Sequence, residues 1–145
     1  MFFFPLLSLG CFLATTPPDD AVQQELKKFE GTWVVTAFTI EGRQMTEAQL
    51  QTRLSFQFKG NKCISRQGKD SDSPGDEATF TIDPTKQPRT IDFTKAAGDG
   101  KGKTLRGIYE WKDGKLRLCY DRGGEKHPTE FSEKAILVVL ERERK

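Results

Sequence analysis

Residues 97–104, Ala-Gly-Asp-Gly-Lys-Gly-Lys-Thr, fit the loosest form of a phosphate-binding loop, in which four residues separate a small one from Gly-Lys-Thr. Such loops work because backbone amides at the positive end of the helix they open surround a phosphate. Here the continuation is Leu105, Arg106, Gly107, Ile108, Tyr109, Glu110 and Trp111, a β-rich stretch that does not read as that helix, so a hairpin loop is expected. Residues 70–75, Asp-Ser-Asp-Ser-Pro-Gly, begin like a calcium loop, but Pro74 replaces the third oxygen ligand and Thr81 stands where a bidentate Glu would close the site. A solvated acidic loop is expected there. His127 is the single histidine, and Ser132 follows it in a polar stretch with no elbow that would present a nucleophile, so it reads as a surface turn residue. One His and three scattered Cys do not have the spacing of a zinc site. No catalytic residue, metal or cofactor is assigned, and a non-enzymatic protein is expected.

The cysteines are Cys11, Cys63 and Cys119. Cys11 lies in the uncharged apolar run of residues 1–14, which is too short for a spanning helix and suits a secretory signal. Ser8-Leu9-Gly10-Cys11 approximates a lipobox, so two outcomes stay open: acylation of Cys11 with membrane anchoring, or cleavage near Ala14 and release. Residues 15–20 read as a linker and 21–145 as the folded domain, exported to the periplasm or cell envelope. Cys63 and Cys119 have the parity of one disulfide, but each falls on the polar phase of its strand, beside Ser65 and Arg117, and two unpaired thiols are expected.

A chain of 145 residues supports one hydrophobic core, and a monomer is expected. Its 23 basic and 21 acidic residues leave a formal net charge of +2, spread without the basic stripe and interleaved aromatics that nucleic-acid binding requires. No nucleic-acid partner is expected.

The elements that must position any site are mostly strands. Asp19 and Asp20 can cap a helix over residues 21–29, with Val22, Leu26 and Phe29 at helical spacing, placed to plug a barrel end. Residues 33–40 then alternate, with Val34, Thr36, Phe38 and Ile40 on one face and Val35 and Ala37 on the other, until Glu41-Gly42 turns the chain. Residues 46–52 read as a helical turn or two. Leu54, Phe56 and Phe58 alternate toward a Gly60-Asn61 hairpin whose return strand carries Ile64 inward. Further strands are expected over residues 77–82, 90–93, 104–111, 115–120 and 134–142, with Asp113-Gly114 a second hairpin signal. About eight short strands without helix-strand alternation make an all-β antiparallel barrel with a short N-terminal helix.

Gly31-Thr32-Trp33, entering the first strand straight after the helix, resembles the Gly-x-Trp entry of a lipocalin barrel. The chain from Leu26 to Arg142 resembles a family of small, exported, lipocalin-like proteins of planctomycete bacteria without an assigned activity. The likeness rests on residues 29–33 (Phe-Glu-Gly-Thr-Trp), 80–92 (Phe-Thr-Ile-Asp-Pro-Thr-Lys-Gln-Pro-Arg-Thr-Ile-Asp), 107–110, 116–119 and 127–131. Where that family carries Arg before the Pro matched by Pro128, this chain has His127. The resemblance implies an eight-stranded calycin-type barrel in which Gly31, Trp33 and an Arg from the last strand form the closure. Arg142, in phase with Ile136, Val138 and Leu140, is the expected cation over Trp33, and Arg144 is its alternative.

An eight-stranded barrel is wide enough to be filled by side chains or to hold one small ligand. Phe56, Phe58, Ile64, Phe80, Ile82, Tyr109, Leu118 and Tyr120, with Leu54, are the candidate pocket residues. Two functions follow: binding of a small apolar ligand inside the barrel, or a filled barrel whose loops contact an envelope protein or a glycan.

Overall fold

The computed structural model describes residues 19–46, 54–67, 75–97, 100–121, 123–132 and 134–143. Cys11, the 70–74 loop, Arg144 and all but Thr46 of the expected 46–52 helical turn lie outside them. Helix α1 (Asp19–Phe29) places Val22, Glu25, Leu26 and Phe29 on one stripe, while Lys27 and Lys28 sit at its negative, carboxyl end. The strands are β1 (Gly31–Ile40), β2 (Arg43–Thr46), β3 (Leu54–Lys59), β4 (Lys62–Gln67), β5 (Asp76–Asp83), β6 (Arg89–Lys95), β7 (Thr104–Lys112), β8 (Lys115–Tyr120) and β9 (Ile136–Arg142).

Strands β3 to β9 pair in order, β3 pairs with β1, and β9 returns to β1, so an eight-membered antiparallel ring closes as a lipocalin-like barrel. Beyond the eight strands expected from the sequence there is a ninth, β2, paired with the second half of β1. It forms because Glu41 and Gly42 both take positive φ, 51° and 84°, which folds the chain back in two residues so that Ile40 faces Arg43.

β1 departs from simple alternation. Its register against β9 passes from Val35↔Leu140 to Ala37↔Val139, leaving Thr36 as an extra residue. A bulge of this kind reverses the phase of everything after it. Trp33 and Val35 therefore face the core before the bulge and Phe38 after it, which corrects the single even-numbered face expected from sequence.

A second correction concerns β4. The two-residue Gly60-Asn61 turn sets Lys59 opposite Lys62 and Phe58 opposite Cys63, and directly opposed residues share a face. With Phe58 buried in the core, Cys63 points inward and Ile64, paired with Gln57 and Glu77, points out. Cys119 lies on the outward phase of β8, opposite Ile108. The two thiols stand on opposite sides of the wall and are both free.

The barrel ends differ. α1 and the β3–β4, β5–β6 and β7–β8 turns gather at one end, hereafter the sealed end; the ends of the strands opposite them mark the other, the mouth. At the mouth, residues 100–103 make a hairpin turn, with Lys103 N–H donating to the Gly100 carbonyl, and Thr104 opens β7. The phosphate-loop pattern thus runs into a strand, where no helix end faces a ligand.

The described part of the β8–β9 connection, residues 123–132, straps the outside of β6, β7 and β8. Arg106 N–H donates to the Gly124 carbonyl at 2.9 Å, His127 Nε2 meets Asp92 Oδ1 at 2.6 Å, Cys119 Sγ approaches the Glu130 carbonyl at 3.9 Å, and Arg117 lies over the Phe131 ring. Ile108 and Cys119 face outward yet are fully buried, in keeping with cover by this strap.

Candidate ligand-binding site in the barrel

The sealed end is built from residues that satisfy one another. Gly31 has φ of +118°, and a Cβ there would stand 2.9 Å from Arg142 Nη1, so both the turn and the close approach call for glycine. The space so left lets the Arg142 guanidinium lie 4.4 Å from the centroid of the Trp33 ring while Nη1 donates to the Glu30 carbonyl and Nη2 to the Lys28 carbonyl. Trp33 Nε1 donates to the Phe29 carbonyl at 2.8 Å. Three carbonyls left open at the end of α1 thereby gain donors from β1 and β9.

Glu25 is the feature that sequence reading missed. Its carboxylate is buried on the apolar stripe of α1, where Oε1 accepts from Trp111 Nε1 at 2.8 Å and from the Tyr109 hydroxyl at 3.1 Å. Lys28 stands 3.2 Å from Oε2 and Arg89 3.8 Å from Oε1. Burial acts to raise the Glu25 pKa, but the donated bonds from Trp111, Lys28 and Tyr109 and the Lys28 charge outweigh it, and the carboxyl lies below the usual range. Burial and the neighbouring carboxylate push the Tyr109 phenol up, so it stays a donor. A charged residue at position 25, between Val22 and Leu26 on one side and Phe29 on the other, was the available sequence signal.

Above this seal the described side chains pack against one another. Phe29 rings contact Phe58, Phe80, Tyr109 and Trp111 at centroid distances of 5.4, 5.6, 5.1 and 4.8 Å, and Trp33 meets Trp111 at 5.7 Å. Of the residues read from sequence as pocket lining, Phe58, Phe80 and Tyr109 belong to this stack and Ile82 and Leu118 are buried in the same core. They are packing. Ile64 is outside the wall. Leu54, Phe56 and Tyr120 are inward-facing and half-buried.

These three belong to a ring of six, half of which is legible in the sequence. Phe38, Leu54, Phe56, Phe93, Tyr120 and Ile136 pack on the core from the mouth side and remain partly exposed, in contrast to Trp33, Phe58 and Leu140 at 2 % or less. Tyr120 sits opposite Gly107 on one side and Ile136 on the other. Burial raises its pKa, and among the described residues its hydroxyl has no hydrogen-bond partner. Lys95 continues the inward phase of Ile91 and Phe93, its stem beside Gly100 and its ammonium in no ion pair among the described residues. Burial also pushes the inward Cys63 thiol up to about 12, which makes it a neutral wall residue rather than a nucleophile.

A separate shallow cleft of about 190 Å³ opens at the rim of the sealed end, lined by Gln87, Pro88, Arg89, Tyr109, Glu110 and Phe131. Glu110 also pairs with Arg117. Among the described residues there is no cluster of three or more His, Cys, Asp or Glu that could hold a metal, and no helix long and apolar enough to cross a membrane.

Neither a family model nor a curated protein matches the chain. Among solved structures it is similar to a mutant of the fluorescent protein UnaG, with a TM-score of 0.44 at 14% sequence identity, covering 83% of this chain and 99% of that one.

Proposed function

We propose that this chain is an exported, non-enzymatic member of the planctomycete lipocalin-like family that holds a small apolar ligand at the mouth of its barrel, with acylation of Cys11 as its route to the membrane. One observation carries the ligand reading: toward α1 the inner wall is buried, apart from the half-buried Trp111, and toward the mouth it is half-exposed, where Phe38, Leu54, Phe56, Phe93, Tyr120 and Ile136 present an aromatic-rich apolar ring. Concave apolar surface with a few polar groups is what small-molecule sites offer. Native mass spectrometry of protein purified from its own host tests this. A bound lipophilic mass, lost on organic extraction, is the expected result; recovery of the apo mass alone under gentle conditions would count against a tight ligand. For the anchor, radiolabelled palmitate should enter the wild type and not Cys11→Ser, and equal labelling of both would refute acylation there.

The rim cleft favours a second reading, in which the barrel is a scaffold and its turns contact a glycan. At about 190 Å³ the cleft is smaller than sites for drug-sized ligands, which start near ~300 Å³. Its Phe131 ring, Gln87 amide, Arg89 guanidinium and Glu110 carboxylate offer stacking and both kinds of hydrogen bond to a sugar. Glycan-array binding that disappears with Phe131→Ala while the melting temperature holds would select this reading over the first.

A further inference from the structure

We infer that the cleft at the rim of the sealed end takes a single neutral sugar ring, stacked on Phe131 and hydrogen-bonded between Arg89 and Glu110. This rests on the second reading above and names the class of its ligand.

The cleft draws on separate parts of the chain. The β5–β6 turn and the start of β6 bring Gln87, Pro88 and Arg89, β7 brings Tyr109 and Glu110, and the strap outside the barrel brings Phe131. Arg89 and Tyr109 are directly opposed across the β6–β7 pair and share the inward phase, while Glu110 takes the outward one. The cleft therefore crosses the edge of the wall, from the seal to the strap. Tyr109 is buried and its hydroxyl donates to Glu25 at 3.1 Å, so it supplies wall rather than a free polar group.

Arg89 stands differently. Its Nη1 is 3.8 Å from Glu25 Oε1, beyond hydrogen-bond distance, and that oxygen already accepts from Trp111 at 2.8 Å and from Tyr109. The guanidinium is thus matched in charge but keeps N–H donors for the cleft. Glu110 is its complement: Arg117 from β8 neutralises it, and a carboxylate with one partner retains acceptor sites. Arg117 also lies over the Phe131 ring, 5.3 Å from its centroid, and so holds the stacking ring and the acceptor in one arrangement. The exposed Gln87 amide adds a donor and an acceptor.

Charge decides which sugar fits. Both charges on the cleft wall are answered within the protein, Arg89 by Glu25 and Glu110 by Arg117, and Glu25 also has Lys28 at 3.2 Å. Asp83, at the end of β5, accepts from the Thr85 N–H and hydroxyl and lies in the field of Lys86. An acidic sugar would bring a carboxylate up to Glu110 and toward Glu25, where no unanswered cation among the described residues lines the cleft. A hydroxyl both donates and accepts, so it answers Arg89 and Glu110 without adding charge. The volume of about 190 Å³ admits one ring with its hydroxyls, which makes the ligand one sugar unit rather than a length of chain.

The test is a saturation-transfer NMR titration of the full chain with the methyl glycosides of glucose, galactose, mannose and N-acetylglucosamine, and with those of glucuronic and galacturonic acid. Wild type, Phe131→Ala and Gln87→Ala are compared. A neutral glycoside should bind more tightly than either uronide, with an affinity that does not change between about 50 and about 500 mM salt. Phe131→Ala should weaken it by up to about ten-fold, as for the loss of a stacked ring. Gln87→Ala, in an exposed turn outside the strap, should weaken it several-fold at unchanged melting temperature, which separates loss of contact from loosening of the strap. If a uronide binds more tightly than every neutral glycoside and salt weakens it, the neutral-sugar inference is overturned while the glycan reading stands. If no glycoside binds the folded wild type, or binding is the same in both variants, the glycan reading falls with it.

Discussion

The Arg142 guanidinium covers the Trp33 ring at 4.4 Å and in the same pose donates to the carbonyls of Glu30 and Lys28, so one side chain closes the last strand, the first strand and the helix onto each other. Arg142 is itself exposed, which limits the ring contact to about 0.5–1 kcal/mol, and the two charge-assisted bonds bring the expected cost of Arg142→Ala to about 1–3 kcal/mol. Arg142→Lys should recover less than half of this, because one ammonium cannot reach both carbonyls in a planar fork. Urea unfolding midpoints of the two variants check the difference. Equal midpoints for wild type and Arg142→Ala would mean the seal holds without Arg142.

Trp33→Ala should cost about 3–5 kcal/mol, since it removes a ring that is 2 % exposed and packed against Trp111. Gly31→Ala is a smaller change in mass with a distinct cause: a side chain at φ of +118° that also meets Arg142 Nη1. About 1–3 kcal/mol is expected for it. Because the Gly31→Ala strain falls partly on Arg142, its effect should shrink in the Arg142→Ala background, and additivity in that double-mutant cycle would show the two are not coupled.

Acid should loosen the helix from the barrel. The Glu25 pKa is lower in the folded protein than in the unfolded chain, so its pairing stabilises the fold above the ordinary glutamate value and is lost as the pH falls through the depressed folded value. Unfolding free energies measured from neutral pH down to about pH 3 should decline along that limb, and Glu25→Gln should flatten it. Glu25→Leu should be worse at neutral pH, because the Tyr109 hydroxyl and the Trp111 N–H would lose their acceptor, at about 1–3 kcal/mol for each buried donor. A Glu25→Gln profile parallel to wild type would remove Glu25 from the acid transition.

Thiol chemistry reads out the strap. In a Cys11→Ser background, Cys63 and Cys119 should react slowly with a thiol-exchange reagent, being buried with raised pKa values, and reduction should leave the intact mass unchanged. His127→Ala removes the 2.6 Å contact to Asp92 that pins the strap near Cys119. The pair is about one-third exposed and thus worth at most roughly 1 kcal/mol, so Cys119 labelling should rise up to about five-fold while Cys63 stays protected. An unchanged Cys119 rate would mean that the strap is held elsewhere.

Much of this architecture is legible from residue spacing, and the misreadings have physical causes. Helical spacing of Val22, Leu26 and Phe29 and the alternation of Leu54, Phe56 and Phe58 are strong local signals, and they lead to the ring of eight strands. The phase of β1 was not available from alternation because the Thr36 bulge is set by pairing with β9, more than a hundred residues away in the chain. Ile64 was placed inward on hydrophobicity, although the two-residue Gly60-Asn61 turn already put Cys63 opposite Phe58. Hairpin geometry outranks side-chain type there. Aromatics were assigned to a pocket because sequence alone does not tell which end of a barrel a given strand position occupies. The same cause hid Glu25, a charged residue whose meaning depends on what lies across the barrel.

Helix α1 closes one end of the barrel and runs straight into β1, so the fold has a built-in direction: the first strand starts from a floor that the helix lays down, and the last strand returns to that same floor through Arg142. The molecule therefore has the polarity of a cup whose base is locked by both ends of its own barrel wall.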